Sequence, residues 1–403
     1  MTRIGIIREG KTPPDKRVPL TPAHCKTLLQ KYPHLELVVQ PSAVRAISDQ
    51  EYINAGIPLS EDLSACDLII GVKEVPVEML IPGKSYMFFS HTFKKQPYNR
   101  LLLRAILEKK ISLIDYEVLT ADDGRRLIGF GRYAGIVGCY NGLLAYGKKS
   151  GRYALKPAHT CSDRKEVEQE LEKIDFPYNF RLVLTGRGRV GNGAREILDL
   201  VKIKEVVPLD YLVREYDEPV FTQLSAGDYN KTKDGSKFAT AHFYKHPEKY
   251  LSDFMRFARK SDMYIPCHYW DDKAPYILTR EDAKQPDFRI KLVADISCDI
   301  NGPVASTLRP STIANPHYGY LPSTEEEVDF MDRKAIGVMA IDNLPCELPR
   351  DASQDFGDEL IQNIFPELLG KKDSEIIERA RQTTLEGELT PEFNYLEDYV
   401  SGK

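Results

Sequence analysis

"TGRGRVGNGA", residues 185–194, carries glycines at 186, 188 and 191 and so satisfies the pattern G-x-G-x-x-G. Alone the pattern says little, because surface loops match it by chance; its surroundings decide. "RLVL", just before it, is a short apolar run of strand formers. Just after it, Ala194, Ile197, Leu198 and Val201 recur at i, i+3, i+4, i+7, which is one face of a helix. Val206 and Val207 then lead to Asp210, about 20 residues beyond the glycines. Strand, glycine turn, helix, strand and acid compose a dinucleotide-binding unit, with the pyrophosphate over the N–H groups that open the helix. The other reading is an ordinary βαβ turn with no ligand. Asp210, placed at the end of the second strand, would accept hydrogen bonds from a ribose 2′-OH and repel a 2′-phosphate. NAD is therefore expected over NADP, although Arg214 stands close enough in sequence to favour a phosphate.

The 403 residues suffice for two domains. A net charge of −5 with acids and bases interspersed argues against a nucleic-acid partner. No apolar run approaches the ~18 residues that span a bilayer, so no membrane is expected. "MTRIGIIREG" reads as a strand and a charged loop, not a signal peptide. Seven scattered cysteines without a C-x-x-C pair point to reduced thiols in a cytoplasm. Cys267 and His268 are adjacent, but no cluster has metal-ligand spacing, and no metal is expected.

Residues 1–133 alternate strand and helix patterns. "RIGII", "LELVV", "DLIIGV", "YMFF" and "SLIDYEVL" read as strands, with "TPAHCKTLLQKY" and "YNRLLLRAILEKK" as helices. Alternation of this kind predicts an α/β fold with a mainly parallel sheet. "YAGIVGCYNGLLAYGKK" reads as a helix crossing between domains, and 215–248 as a polar, loop-rich insertion. Ligands of open parallel sheets bind beyond the carboxyl ends of the strands. There the first half offers Lys16 and Arg17, then Lys73 and Glu74, then His91, Thr92 and Gln96. Arg125 and Arg126 follow, side by side, before Phe130. Paired arginines can fork onto carboxylates or phosphates, or can simply be a charged hairpin turn.

"DKRVPLTP", "GVKE", "FFSHTFKKQ", "GRRLIGFGRYAG", "DISCDINGP" and "IDNLPCELPRDAS" occur in that order. Together they make the chain resemble the lysine-forming saccharopine dehydrogenases. The likeness is greatest to the lysine–2-oxoglutarate reductase half of the bifunctional lysine-degrading enzymes, within the alanine dehydrogenase/transhydrogenase superfamily. The resemblance implies two Rossmann-like parallel-sheet domains with the active site in the cleft between them. The substrate domain would be 1–133 plus 346–403, and the nucleotide domain 134–345. It implies Lys73 and His91 as the catalytic pair, with Arg17, Gln96, Arg126 and Phe130 on substrate. Cofactor contacts would fall on Arg125, Gly186, Gly188, Arg189, Val190, Gly191, Asp210, Asp295 and Asn343. The cofactor would be NAD, with NADP still open. The partners would be small molecules: lysine, 2-oxoglutarate and saccharopine. With no second enzyme following, the chain is expected to perform one half of the bifunctional sequence. Two rivals stand beside this reading: an alanine dehydrogenase-like or other opine or amino-acid dehydrogenase, and a nucleotide-binding protein without catalysis.

Overall fold

The computed structural model of the chain describes residues 2–371 and 374–402. It divides into two compact units, one of residues 1–130 with 349–403, the other of 131–348. The sequence put the joints after 133 and before 346.

The first unit holds a five-stranded, wholly parallel sheet. Its strands are β1 (Thr2–Ile6), β2 (Leu35–Val39), β3 (Leu68–Ile70), β4 (Ser85–Phe88) and β5 (Ser112–Asp115), in the order β2-β1-β3-β4-β5. All but the outward positions are buried, as expected where both faces of a parallel sheet are covered. Helices α1 (Pro22–Lys31), α2 (Asp49–Asn54) and α3 (Arg100–Glu108) lie between the strands in sequence. Capping boxes start α1 at Thr21 and α2 at Ser48. Chain order reverses between β1 and β3. That is the topological switch point where such sheets bind ligands. The chain returns to this unit through the helix Pro349–Glu359, whose Phe356 stacks on Phe130 at 4.4 Å.

The second unit opens with α4 (Gly131–Ser150), buried on nearly all sides from Tyr133 to Gly147. The sequence placed this helix between domains; it lies wholly within one. After α5 (Arg164–Glu170) the chain runs through β6 (Arg181–Thr185), α6 (Arg189–Leu200), β7 (Lys204–Glu205), α7 (Pro208–Val213) and β8 (Val220–Leu224). A short excursion pairs β9 (Asn230–Thr232) with β10 (Tyr250–Ser252). Then come β11 (Met263–Pro266), β12 (Leu292–Ala294), β13 (His317–Leu321), β14 (Glu326–Val328) and β15 (Ile336–Met339). The eight-stranded sheet runs β14-β13-β15-β12-β11-β6-β8-β7, parallel except at β13 and β14.

Two sequence readings are corrected here. The segment 215–248 is not simply a loop-rich insertion, because it contains β8, whose five residues are all buried and pair in register with β6. Asp210 does not end a strand. It is the third residue of α7, paired with Arg214 at 3.3 Å, and the strand beside β6 is β8. The run Val206–Val207 misled, because β7 stops at Glu205 and Val207 is left exposed.

Helices α4 and α6 meet through bare backbone. A Cβ on Gly135 would lie 2.0 Å from the Val190 carbonyl oxygen, and one on Gly193 2.1 Å from that of Arg132. Gly135→Ala should therefore lower stability by about 1–3 kcal/mol, since overpacking outweighs the ~1 kcal/mol that alanine gains in a helix. Urea unfolding checks it; an unchanged or raised midpoint would refute the close-packing account.

Candidate active site

The nucleotide turn follows β6. Gly186 has φ +99°, and a Cβ there would come within 2.4 Å of the Cys267 carbonyl oxygen at the end of β11. Gly191 lies so close to Gly186 that a Cβ would sit 2.2 Å from its carbonyl oxygen. Gly188 differs: it caps α6, has an ordinary φ of −82°, and nothing lies within 4 Å of the position its Cβ would take. Two glycines thus fold the turn, and the third leaves open space in front of the helix N-terminus, where Arg189 and Val190 begin α6. That cradle fits a pyrophosphate. Arg187 donates to the Gln223 carbonyl at 2.7 Å, and the Gln223 amide donates to that of Gly186 at 2.9 Å, tying the turn to β8. Ser225 follows β8 directly, and its N–H and hydroxyl both donate to Asp228.

Other expected cofactor positions are more scattered. Asp295 follows β12 and is buried, with its carboxylate taking the Thr307 hydroxyl at 2.5 Å and the Cys298 N–H at 3.1 Å. Burial raises its pKa to about 6, despite those bonds. Asn343 precedes the 3-10 turn Leu344–Glu347. Arg125 is exposed on a hairpin turn bridged by Thr120 and Arg126, with Asp123 3.7 Å away. Cys267 and His268 are buried at the end of β11; His268 bonds Thr185 at 2.8 Å, and burial lowers its pKa to about 3.

The first unit gathers its charged groups at the carboxyl ends of β1, β3, β4 and β5. Glu9, after β1, accepts the N–H groups of Val72 at 2.6 Å and Lys73 at 2.9 Å, so one carboxylate anchors the loop after β3. Burial raises its pKa to about 7 against those two bonds. Arg17 is buried and forks onto Asp15 through Nε at 3.0 Å and Nη2 at 2.6 Å. Its guanidinium also lies 4.1 Å from the centroid of Phe130. Burial works against the Asp15 carboxylate, but Arg17 outweighs it and holds the pKa at about 2. Lys73 is pushed below the usual lysine range, first by burial and then by Arg17.

His91 stands between two carboxylates. Its Nδ1 is 2.6 Å from Glu74 Oε1, and its Nε2 is 3.7 Å from Glu117 Oε2. Glu74 is also bonded by Lys11 at 2.8 Å. Burial would raise the Glu74 pKa, yet His91 and Lys11 bring it to about 2. Glu117 Oε1 takes Lys94 at 2.8 Å and Arg126 at 2.9 Å; burial opposes these cations, and its pKa still falls.

The structure therefore joins Arg17, Phe130 and Lys73 in one group, and His91 and Arg126 in another through Glu117. Gln96 is not drawn in by any side-chain bond to them; its amide oxygen takes the Tyr98 hydroxyl at 2.5 Å. Each of the two arginines already faces a carboxylate of this chain, Asp15 for Arg17 and Glu117 for Arg126. Sequence reasoning missed Glu9, Asp15, Asp115 and Glu117. Each follows or ends a strand, and the signal was their place among the cations.

Residues 5–137 match the alanine dehydrogenase/PNT N-terminal domain. The chain is 32% identical over 400 residues to alpha-aminoadipic semialdehyde synthase of Arabidopsis thaliana, covering 89% of this chain and 37% of that protein. It is 27% identical over 383 residues to saccharopine dehydrogenase [NAD(+), L-lysine-forming] of Schizosaccharomyces pombe, covering 91% and 92%. The chain is thus similar to proteins bearing both names. It spans less than half the length of the semialdehyde synthases it matches. An L-alanine dehydrogenase structure superposes over 100% of the chain at TM-score 0.66 and 14% identity, a likeness of fold. Among the described residues, no helix is long and apolar enough to cross a membrane.

The glycine geometry separates folding from binding. Gly188→Ala should leave the thermal midpoint unchanged but weaken nucleotide binding about tenfold, or ~1.4 kcal/mol, by placing a methyl where the phosphates approach. Titration calorimetry checks it; undiminished affinity would remove the ligand from this turn.

Proposed function

We propose that the chain is a nicotinamide-dependent oxidoreductase that interconverts saccharopine with lysine and 2-oxoglutarate. The observation that carries this reading is His91 held between Glu74 and Glu117, with the half-buried Lys73 next to Glu74 in the chain and facing the Arg17 guanidinium. The comparisons support it, since a relative that matches most of the chain bears the name saccharopine dehydrogenase [NAD(+), L-lysine-forming].

The nicotinamide, when bound, supplies hydride transfer at the glutarate α-carbon. The chain's own residues must bind the substrate and move protons. Lys73 loses its proton more readily than an exposed lysine, so it suits acceptance of a proton from the substrate amine. Glu74 occupies His91 Nδ1 and fixes the ring. Proton exchange then falls to Nε2, which can activate water against the imine carbon and return the proton as lysine leaves. In the opposite direction the same groups assist condensation and loss of water. Arg126, Lys94 and Lys11 offer cationic faces to the three carboxylates of saccharopine. Arg17 keeps the Lys73 surroundings positive, the Phe130 ring lies against the Arg17 guanidinium, and Gln96 adds an amide.

Nucleotide preference is decided beyond β8. The expectation of NAD rested on Asp210 at a strand end, and Asp210 lies on α7. Ser225 follows β8 instead, with the Arg187 guanidinium bonded at Gln223 and the Asp228 carboxylate engaged by Ser225. A hydroxyl and a guanidinium suit a 2′-phosphate. We therefore read the cofactor as NADP(H), with NAD(H) as the poorer substrate. The seven free cysteines suit a reducing compartment such as the cytoplasm.

Reduced cofactor should be consumed with lysine and 2-oxoglutarate together, and poorly with pyruvate and ammonia. Efficient ammonia-dependent reduction of pyruvate with no response to lysine would overturn the reading. Lys73→Met and His91→Gln should each cut turnover ~10²–10⁴-fold while sparing nucleotide affinity. Arg187→Ala should shift kcat/KM about tenfold away from NADPH and toward NADH, the loss expected for one charge-assisted contact. A wild-type kcat/KM that favours NADH would return the preference to NAD.

A further inference from the structure

We propose that Asp115, braced by Gln382, positions His91 and the Glu117 carboxylate that faces its Nε2, a role that rests on the reading of His91 as the group that activates water. Asp115 is the last residue of β5 and is fully buried. Its Oδ2 accepts the N–H of Ser90 at 2.9 Å and of His91 at 3.2 Å, while its Oδ1 accepts the N–H of Glu117 at 2.7 Å. One carboxylate thus holds the main chain of both residues.

The side chains do not set this geometry by themselves. His91 Nε2 and Glu117 Oε2 are 3.7 Å apart, beyond a hydrogen bond, and Glu117 Oε2 is buried without a hydrogen-bond partner. His91 also has φ 55° and ψ 9°, a left-handed state that a side-chain-bearing residue adopts rarely and only when its surroundings impose it. The surroundings here are a closed ring of buried groups. The Ser90 hydroxyl donates to Asp115, and its oxygen lies 2.7 Å from that of Thr92. The Thr92 hydroxyl donates to Gln382 Oε1 at 2.6 Å, and Gln382 Nε2 points back to Asp115 Oδ2 at 3.4 Å. Ser90, Thr92, Asp115 and Gln382 are all fully buried. The Gln382 main chain is fixed independently, donating to the Leu113 carbonyl at 2.7 Å and accepting from the Thr390 N–H at 3.0 Å. Its side chain can therefore be altered without releasing the segment that carries it.

The experiment compares the wild-type chain with Gln382→Met, Thr92→Val, Thr92→Ser and Asp115→Asn. It measures kcat, KM for lysine and 2-oxoglutarate, nucleotide affinity, and the Cε1–H NMR resonance of His91, assigned by its absence in His91→Gln. Gln382→Met and Thr92→Val should lower kcat roughly 10–100-fold, as small misplacements of reacting groups do, with KM and nucleotide affinity within about threefold. The His91 resonance should shift or broaden while the other histidines hold still. Thr92→Ser keeps the hydroxyl and should restore most of the turnover. Asp115→Asn should lose more, and if it does not fold the other variants decide. Unchanged kcat with an unmoved His91 resonance would overturn the proposal. So would a loss shared equally by KM, nucleotide affinity and all histidine resonances, which would mark a purely structural role. If the wild type fails to turn over lysine with 2-oxoglutarate, the enzymatic reading falls, and the His91 resonance still tests the positioning.

Discussion

A strand that ends in a parallel sheet leaves the N–H groups of the next loop without ladder partners. Buried donors of that kind must be satisfied. In the first unit the chain meets this requirement with carboxylates. Glu9 takes the N–H groups of Val72 and Lys73, and Asp115 takes those of Ser90, His91 and Glu117. Everything chemical in this unit hangs from those bonds. They fix the main chain of the lysine and the histidine that the proposed reaction needs, and of the glutamate that faces the histidine. The anchors are short and internal, so the groups are arranged before any ligand arrives.

Charge is nearly balanced around those anchors. Asp15 answers Arg17, Glu74 answers Lys11 and His91, and Glu117 answers Lys94 and Arg126. An unpaired buried guanidinium would cost ~3–5 kcal/mol, so the fold needs its own counter-ions whether or not substrate is bound. The second unit works by removing atoms instead. Its glycines bring α4 onto α6 and fold the turn after β6, and at Gly188 the missing side chain leaves room in front of a helix N-terminus.

Most strands were legible because buried parallel strands read as uninterrupted apolar runs, as "LVV", "LII" and "LVL" do. The strand β8 was not. It reads "VFTQL", and its Thr222 and Gln223 are buried by tertiary contacts that no local pattern reveals. With β8 hidden, Asp210 reads as the acid beyond the second strand, whereas the strand beside β6 is β8 and Asp210 lies on α7. In the site, Lys73, His91 and Arg17 were legible as cations at strand ends. Their carboxylate partners were not, because an acid in a charged loop looks solvated until the fold shows what it faces. Gln382 was further out of reach, lying 290 residues from the threonine it bonds.

The first unit is closed by its last segment. Leu113, on the outer strand β5, is paired by Gln382 and Thr383, and Phe356 covers Phe130. Until those residues leave the ribosome, the edge of that sheet has no cover, and the whole second unit must be made first. At ~5–20 residues per second that interval runs to roughly ten seconds or more. An open strand edge invites pairing with other chains. The nascent protein thus carries an adhesive border through much of its synthesis. At that stage residues 131–348 are complete, while the unit around them still lacks the segment that covers its sheet edge.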